Sequence, residues 1–447
     1  MVIEWTSILL IAVILVSALG IIKIIDKTVQ FKGETKRKLF HITMGLTMLI
    51  FPYIFKNWVS VGILGIIALV FMFLLKKTKL KDSIGTVLYS VDRDSLGEVF
   101  FVISVFTIFY WSKGDKILFS IPILVLTFAD SVAALIGKNY AKKDLAQMNE
   151  DSKSIEGSFM FFIVAFMATL VPILLFTEVG RAETLIISLI IGFNVSLIEM
   201  ISHTGNDNLF IPLTTYALLV THIEMNVQVL VTHLIILGII FILSFIANRV
   251  KVWSKLAIIE ALVVGYLMVV LYGWYAMIPP LILFLTVMRF PRRKESEESN
   301  LYDARIIETN IIIGIGICGL VAVTGLKKEM FMIYSLCFAM HLIINTYVRL
   351  KYYFKMSDVD NIIISLLKGA GFIFVPSLIV QKIVFGEMIS PVMFGAMCIA
   401  MILSSICIYK KKKDVKEEVI SIDNGIMHTR IVLALTLIVS FLQLLQM

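Results

Sequence analysis

Apolar residues run in blocks of roughly 14 to 23 along the whole chain, divided by short polar connections, with no low-complexity linker and no fixed-period repeat. A hydrocarbon core about 30 Å thick needs roughly 20 apolar residues per helix. Only helices or closed barrels satisfy the backbone in lipid, and these blocks are too long and continuous for barrel strands. The pattern predicts an all-α, polytopic membrane helical bundle of about 16 transmembrane segments. They fall near 5–25, 39–55, 58–75, 98–111, 116–136, 158–176, 183–201, 209–223, 227–247, 256–272, 275–289, 306–325, 330–348, 361–383, 388–409 and 430–446. The pieces 98–111, 209–223 and 275–289 are short and read as re-entrant or half-spans. No cationic region precedes the first run, which contains Glu4 and lacks a small-residue cleavage signal, so no signal peptide is expected.

Composition agrees: 59% of residues are hydrophobic and the mean hydropathy is +0.95. A net charge of +8 would suit a nucleic-acid partner, but its placement argues against one. Of the 40 Lys and Arg residues, 32 fall in the odd-numbered connections between segments. The even-numbered connections hold only Lys56, Lys113, Lys116, Arg181, Lys327, Lys328 and Lys382. That asymmetry sets the odd loops cytoplasmic and both termini outside. The basic balance is topology, and the expected setting is a prokaryotic cell membrane. Cys318, Cys337, Cys398 and Cys407 lie in apolar segments without ligand-like spacing, which supports neither a disulfide framework nor a zinc site.

Polar residues are unevenly spread. Up to about Asn208 the cytoplasmic ends carry unusual polar clusters, while after Arg249 the connections are plain basic or mixed-charge loops such as Pro291–Asn300. This predicts a catalytic membrane bundle over 1–248 and a second helical module over 249–447, with a soft boundary near 226–250.

The topology brings the first-half clusters to one leaflet. Lys36, Arg37, Lys38 and His41 open the second segment; Asp92, Asp94 and Glu98 open the fourth. Asp130 and Ser131 sit in the apolar fifth segment, roughly 10 Å from Gly137 at 1.5 Å per residue. Lys138, Lys142, Lys143 and Lys153 populate the next loop, Glu156 and Gly157 open the sixth segment, Glu199 ends the seventh, and Asp207 and Asn208 precede Pro212. A carboxylate at membrane depth is a functional-site hypothesis by default. Phosphoryl transfer wants cations for the triphosphate and carboxylates for a divalent metal. Magnesium takes one or two carboxylates plus substrate phosphates, so Asp130, Glu98, Glu156, Glu199 and Asp207 are the metal candidates. Gly137 and Gly157 are expected to let backbone N–H groups approach phosphate. Asp130 lies where a lipid hydroxyl would rest.

Each piece has a plainer reading. Lys36, Arg37 and Lys38 serve equally as a topology anchor and His41 as an interfacial imidazole; Lys76, Lys77, Lys79 and Lys81 read as positive-inside residues. Asp92, Asp94, Asp207 and Asn208 suit helix starts. Lys142 and Lys143 suit a solvated loop. Asp130 alone would suit an interhelical hydrogen bond. His203, one turn after Glu199, makes a weak metal pair. His222, His233 and His341 read as isolated and hydrogen-bonded within the bundle, and Glu260 carries no reading.

The order Lys36-Arg-Lys-Leu-Phe-His41, Asp94-Ser-Leu-Gly-Glu98, Ala129-Asp-Ser-Val-Ala-Ala-Leu-Ile-Gly137, Lys153-Ser-Ile-Glu-Gly-Ser158 and Asp207-Asn-Leu-Phe-Ile-Pro212 resembles the polyprenol kinase family. Its members include dolichol kinase, phytol kinase and CTP-dependent diacylglycerol kinase. The resemblance covers about 30–225. It implies transfer of the γ-phosphoryl of a nucleotide, typically CTP, to the hydroxyl of an isoprenoid or other lipid alcohol, with a divalent cation expected to be Mg2+. By that analogy Asp130, Lys138, Lys153, Glu156 and Gly157 would build the nucleotide site, with Glu98, Asp207 and Asn208 nearby. Family sequences often have another glycine where this chain shows Asn139-Tyr-Ala-Lys-Lys143. The expected partners are a lipid alcohol, a nucleotide and membrane lipids, with no nucleic acid; nothing in the sequence sets the oligomeric state. Two other readings stand beside this one. A CTP:phosphatidate cytidylyltransferase shares the setting, but its Gly-Gly-x-x-Asp-x-x-Asp signature is missing. A lipid transporter or flippase would use the many segments, but would place polar groups near the midplane.

Overall fold

The computed structural model describes residues 3–31, 33–77, 96–140, 153–202, 205–250, 255–288, 327–351, 356–412 and 436. Packing divides the chain into two units, Met1–Ile235 and Ile236–Met447. The division falls inside a helix, Val227–Val250. Among the described residues there are helices and no strand.

The first unit is built from α1 (Trp5–Val29), α2 (Gly33–Met48), α3 (Phe51–Ile54), α4 (Trp58–Lys77), α5 (Gly97–Ser112), α6 (Lys116–Leu124), a π-helical turn (Val125–Ala129), α7 (Asp130–Tyr140), α8 (Ile155–Phe176), α9 (Arg181–Ile201), α10 (Asp207–His222) and the start of α11 (Val227–Val250). Six described helices are long and apolar enough to cross a membrane, among them α1, α8, α9 and the continuous run Lys116–Tyr140. Side chains such as Ile24 (68% exposed) and Phe176 (71%) turn apolar surface outward. Exposed apolar surface on that scale marks a membrane protein, whose solvent is lipid.

Local sequence explains the joints. Asp115 caps α6, its Oδ1 accepting from the backbone N–H groups of Ile117 (2.8 Å) and Leu118 (2.9 Å). Ser154 caps α8 by accepting from Gly157 N–H at 3.0 Å. The expected second segment, 39–55, differs in the structure: its helix begins at Gly33 and stops at Met48, and Phe51–Ile54 forms a separate turn. Pro52 lacks an N–H, and its ring would strike the Met48 carbonyl if α2 continued. The start moves outward because Glu34, Lys36, Arg37 and Lys38 are good helix formers. The short segments 98–111 and 209–223 are α5 and α10, each 16 residues, packed on one another. The core beneath them is aromatic: Phe109 meets Phe119 edge-on at 5.7 Å, and Phe51 stacks on Phe119 at 6.4 Å.

The second unit centres on the helix Lys327–Arg349, whose residues Phe331 to Tyr347 are all buried. Around it lie Asp358–Gly369, a π-turn at Ala370–Phe374, Val375–Phe385 and Pro391–Lys412. Segment 275–289 resolves into a 3-10 turn, Trp274–Met277, and a helix, Ile278–Met288.

Candidate functional site

The π-turn Val125–Ala129 ends directly at Asp130. Such turns add a residue to the helical repeat and displace backbone carbonyls from their usual partners. Pro122, one turn earlier, has already removed a donor from this helix. Ser131 Oγ donates back to the Thr127 carbonyl at 2.7 Å, so this hydroxyl is engaged within the helix. His41 Nε2 lies 3.4 Å from the Leu126 carbonyl; the oxygen only accepts, so the contact needs the proton on Nε2.

Helix α2 supplies the other wall. Lys38, His41 and Gly45 recur at intervals of three and four, which places them on one face. A Cβ on Gly45 would overlap the Thr127 side chain, so glycine is what lets α2 close onto the π-turn. That approach sets Lys38 Nζ 2.5 Å from Asp130 Oδ2 and His41 Nε2 3.6 Å from the same oxygen. Only 3% of the Lys38 side chain and 10% of the Asp130 side chain are exposed. A charge pair this deep is held by its partners, since a lone buried ion of either sign is strongly disfavoured.

A second pair lies on the neighbouring helix ends. Lys153 Nζ donates to Glu199 Oε1 at 2.6 Å, and Ser158 Oγ donates to Glu199 Oε2 at 3.1 Å. Burial disfavours the Lys153 ammonium, but Glu199, with Asp207 and Asp130 behind it, outweighs that and raises its pKa above the ordinary lysine range. Asp207 also acts on Lys38. The two pairs therefore share one electrostatic neighbourhood.

The other residues singled out from sequence fall as follows. Arg37 bears on Asp130 electrostatically, after Lys38 and His41. Lys36 pairs with Asp26 of α1 at 2.7 Å, away from Asp130. Asp207 opens α10 without capping it; its Oδ1 accepts from Asn208 N–H, and Asn208 Nδ2 donates to the Gly97 carbonyl at 3.0 Å, tying α10 to α5 beside Glu98. Glu156 occupies the first turn of α8, and Lys138 is exposed on the last turn of α7. Asp92, Asp94, Lys79, Lys81, Lys142, Lys143, His203 and Cys318 lie outside the described residues.

Three expectations change. Gly137 and Gly157 face one another where α7 crosses α8: a Cβ on Gly157 would stand 3.1 Å from the Ala133 carbonyl and 3.4 Å from Gly137 Cα. Their lack of a side chain serves helix approach, and the Gly157 N–H is taken by Ser154 rather than held out for phosphate. His41, read alone as an interfacial imidazole, is buried within the bundle. His222 and His233 are not isolated: His233 Nδ1 lies 3.0 Å from His222 Nε2, whereas His341 Nε2 meets no hydrogen-bond partner among the described residues. Sequence reasoning placed Lys38 in the basic run and Ser158 in the Lys153–Ser158 motif but gave neither a role of its own. The signal for Lys38 was its spacing of three from His41 on a helix; nothing local pointed to Ser158.

Comparison with known proteins finds two relatives. Over 212 residues, 47% of this chain and 88% of the relative, the sequence is 28% identical to a phytol kinase of Synechocystis sp.. Over another 212, covering 42% of this chain and 94% of the relative, it is 30% identical to the uncharacterized protein RP860 of Rickettsia prowazekii. About half of the chain is thus phytol-kinase-like, and it belongs to one family with the Rickettsia protein. No family model and no solved structure matches it.

Proposed function

We propose that this protein is a membrane-embedded lipid-alcohol kinase. It transfers the γ-phosphoryl group of a nucleotide, CTP in this reading, to the terminal hydroxyl of an isoprenoid alcohol at the cytoplasmic leaflet. The observation that supports this most is the buried Lys38–Asp130–His41 cluster, in a chain similar to a phytol kinase.

Asp130 accepts the proton of the acceptor hydroxyl as its oxygen bonds to phosphorus and the bond to the β-phosphate oxygen breaks. Lys38 keeps the carboxylate ionised and aimed. Lys153, held by Glu199, whose other oxygen accepts from Ser158, offers its charge to the triphosphate. Among the described residues no three His, Cys, Asp or Glu side chains gather closely enough to hold a metal alone. Magnesium does not require that, because substrate phosphates and water complete its shell. In this reading its carboxylates are Asp207 and, as the alternative to its role as base, Asp130, both of which act on Lys38 and Lys153. When bound, the ion would neutralise charge on the phosphates.

The test is purified protein with labelled CTP or ATP against a panel of lipid alcohols, with and without magnesium. Asp130→Asn is expected to abolish phosphorylation while the protein stays folded and inserted; wild-type turnover in that variant rules the role out. Release of pyrophosphate in place of CDP would make the enzyme a cytidylyltransferase.

A further inference from the structure

The face of α2 that carries Lys38, His41 and Gly45 continues to Met48, seven residues and about 10 Å beyond His41. Met48 lines a small, open recess framed by α1, α2, α3, α4 and α5, with a cavity volume of about 40 Å³. Its walls are apolar throughout: Phe51 closes one side, Leu64 and Gly65 of α4 another, and Phe101 and Val105 of α5 a third. Gly65 lets α4 approach α5, since a Cβ there would stand 2.9 Å from Val102 Cγ1.

Two observations link the recess to the charged cluster and to the bilayer. Phe101, part of its wall, packs edge-on against His41 with ring centroids 5.7 Å apart, and His41 in turn contacts Asp130. The neighbouring Ile66 and Ile103 are exposed, so the rim of the recess meets lipid. A molecule with a hydroxyl at Asp130 and a hydrocarbon tail would have its first carbons beside His41 and Phe101 and the rest along Met48 and Val105.

We infer that this recess is the seat of the acceptor's hydrocarbon chain and sets which chain lengths are used. This rests on the kinase reading above and adds the part of the molecule that selects the alcohol. Val105→Phe and Leu64→Phe fill the recess from two helices without touching the charged cluster.

The experiment has two arms. Kinetics compare a long-chain prenol with a short one: each variant should raise KM for the long alcohol about tenfold, while the short alcohol and the nucleotide keep their constants, because pocket volume discriminates by that order. Equal loss on both alcohols, or no change on either, overturns the assignment. Gel filtration and thermal melting check that the variants fold. The second arm needs no variant: a long-chain prenol bearing a mid-chain diazirine is photolysed with the wild-type protein, and adducts should map to α2, α4 and α5 around Met48, Leu64 and Val105. Adducts here without phosphorylation of any alcohol leave the chain site standing and sink the kinase. Phosphorylation with adducts only elsewhere does the reverse. Displacement of the label by ordinary phospholipid as readily as by prenol shows a bilayer lipid in the recess and overturns the selection.

Discussion

Replacing Lys38 by Met keeps most of the side-chain volume and deletes the charge beside Asp130. At 2.5 Å the gross attraction between the two is about 7 kcal/mol for an effective dielectric of ~20. Most of it is offset by taking both ions out of water, so the pair is worth little net; breaking it is another matter, because one charge is then stranded. The stranded carboxylate escapes by having a proton placed on it or on His41, 3.6 Å away. Protonating an ordinary carboxyl of pKa ~3.9 at pH 7 costs about 4 kcal/mol, which caps the loss; at pH 5 the same cap is about 1.5 kcal/mol. Lys38→Met should therefore lose between about 1 and 4 kcal/mol at neutral pH, with the deficit narrowing as pH falls. Lys38→Met/Asp130→Asn should regain most of it, since nothing charged is left behind. Denaturation in detergent micelles across pH measures all three proteins. A loss below about 0.5 kcal/mol that does not vary with pH would refute the burial argument, and with it the claim that Lys38 holds Asp130 ionised.

The remaining predictions use the same kind of measurement. Gly45→Ala should cost about 1–3 kcal/mol by driving a methyl into Thr127, whereas Gly20→Ala, with nothing among the described residues within 4 Å, should be neutral or stabilising by up to about 1 kcal/mol. Gly157→Ala should cost a similar 1–3 kcal/mol, roughly, because the methyl meets the Ala133 carbonyl and the Ser154 cap together. Lys153 has a pKa raised in the folded protein, so its stabilisation is fully present below the unfolded value of ~10.4 and lost only as pH rises toward the folded one. The stability gap between wild type and Lys153→Met should thus stay level from about pH 6 to 9 and close only in stronger alkali; a gap that closes near neutrality would mean the Glu199 pairing is wrong.

What could be read in advance, and what could not, follows from which forces are local. Helical spans were legible because lipid leaves the backbone one solution and the apolar blocks announce it. Asp130 was legible because a carboxylate in such a block has no inexpensive explanation. Its partner was not, since Lys36, Arg37 and Lys38 look alike as a basic run; only the phase of α2, set by its start at Gly33, turns Lys38 to Asp130 and Lys36 to Asp26. The glycines were misjudged for a related reason. A glycine tells that something comes close, but Gly137 and Gly157 are met by each other's helix, and that is a property of the α7–α8 crossing. The π-turn is the deepest case. One extra residue in the repeat rotates everything after it by about 100°, so no helical wheel drawn through Lys116–Tyr140 would have put Asp130 on the face that meets Lys38 and His41. The site thus depends on an irregularity placed immediately before its carboxylate, and restoring regular helix there by deleting one residue of Val125–Ala129 should separate Asp130 from Lys38 while leaving the span long enough to cross the membrane.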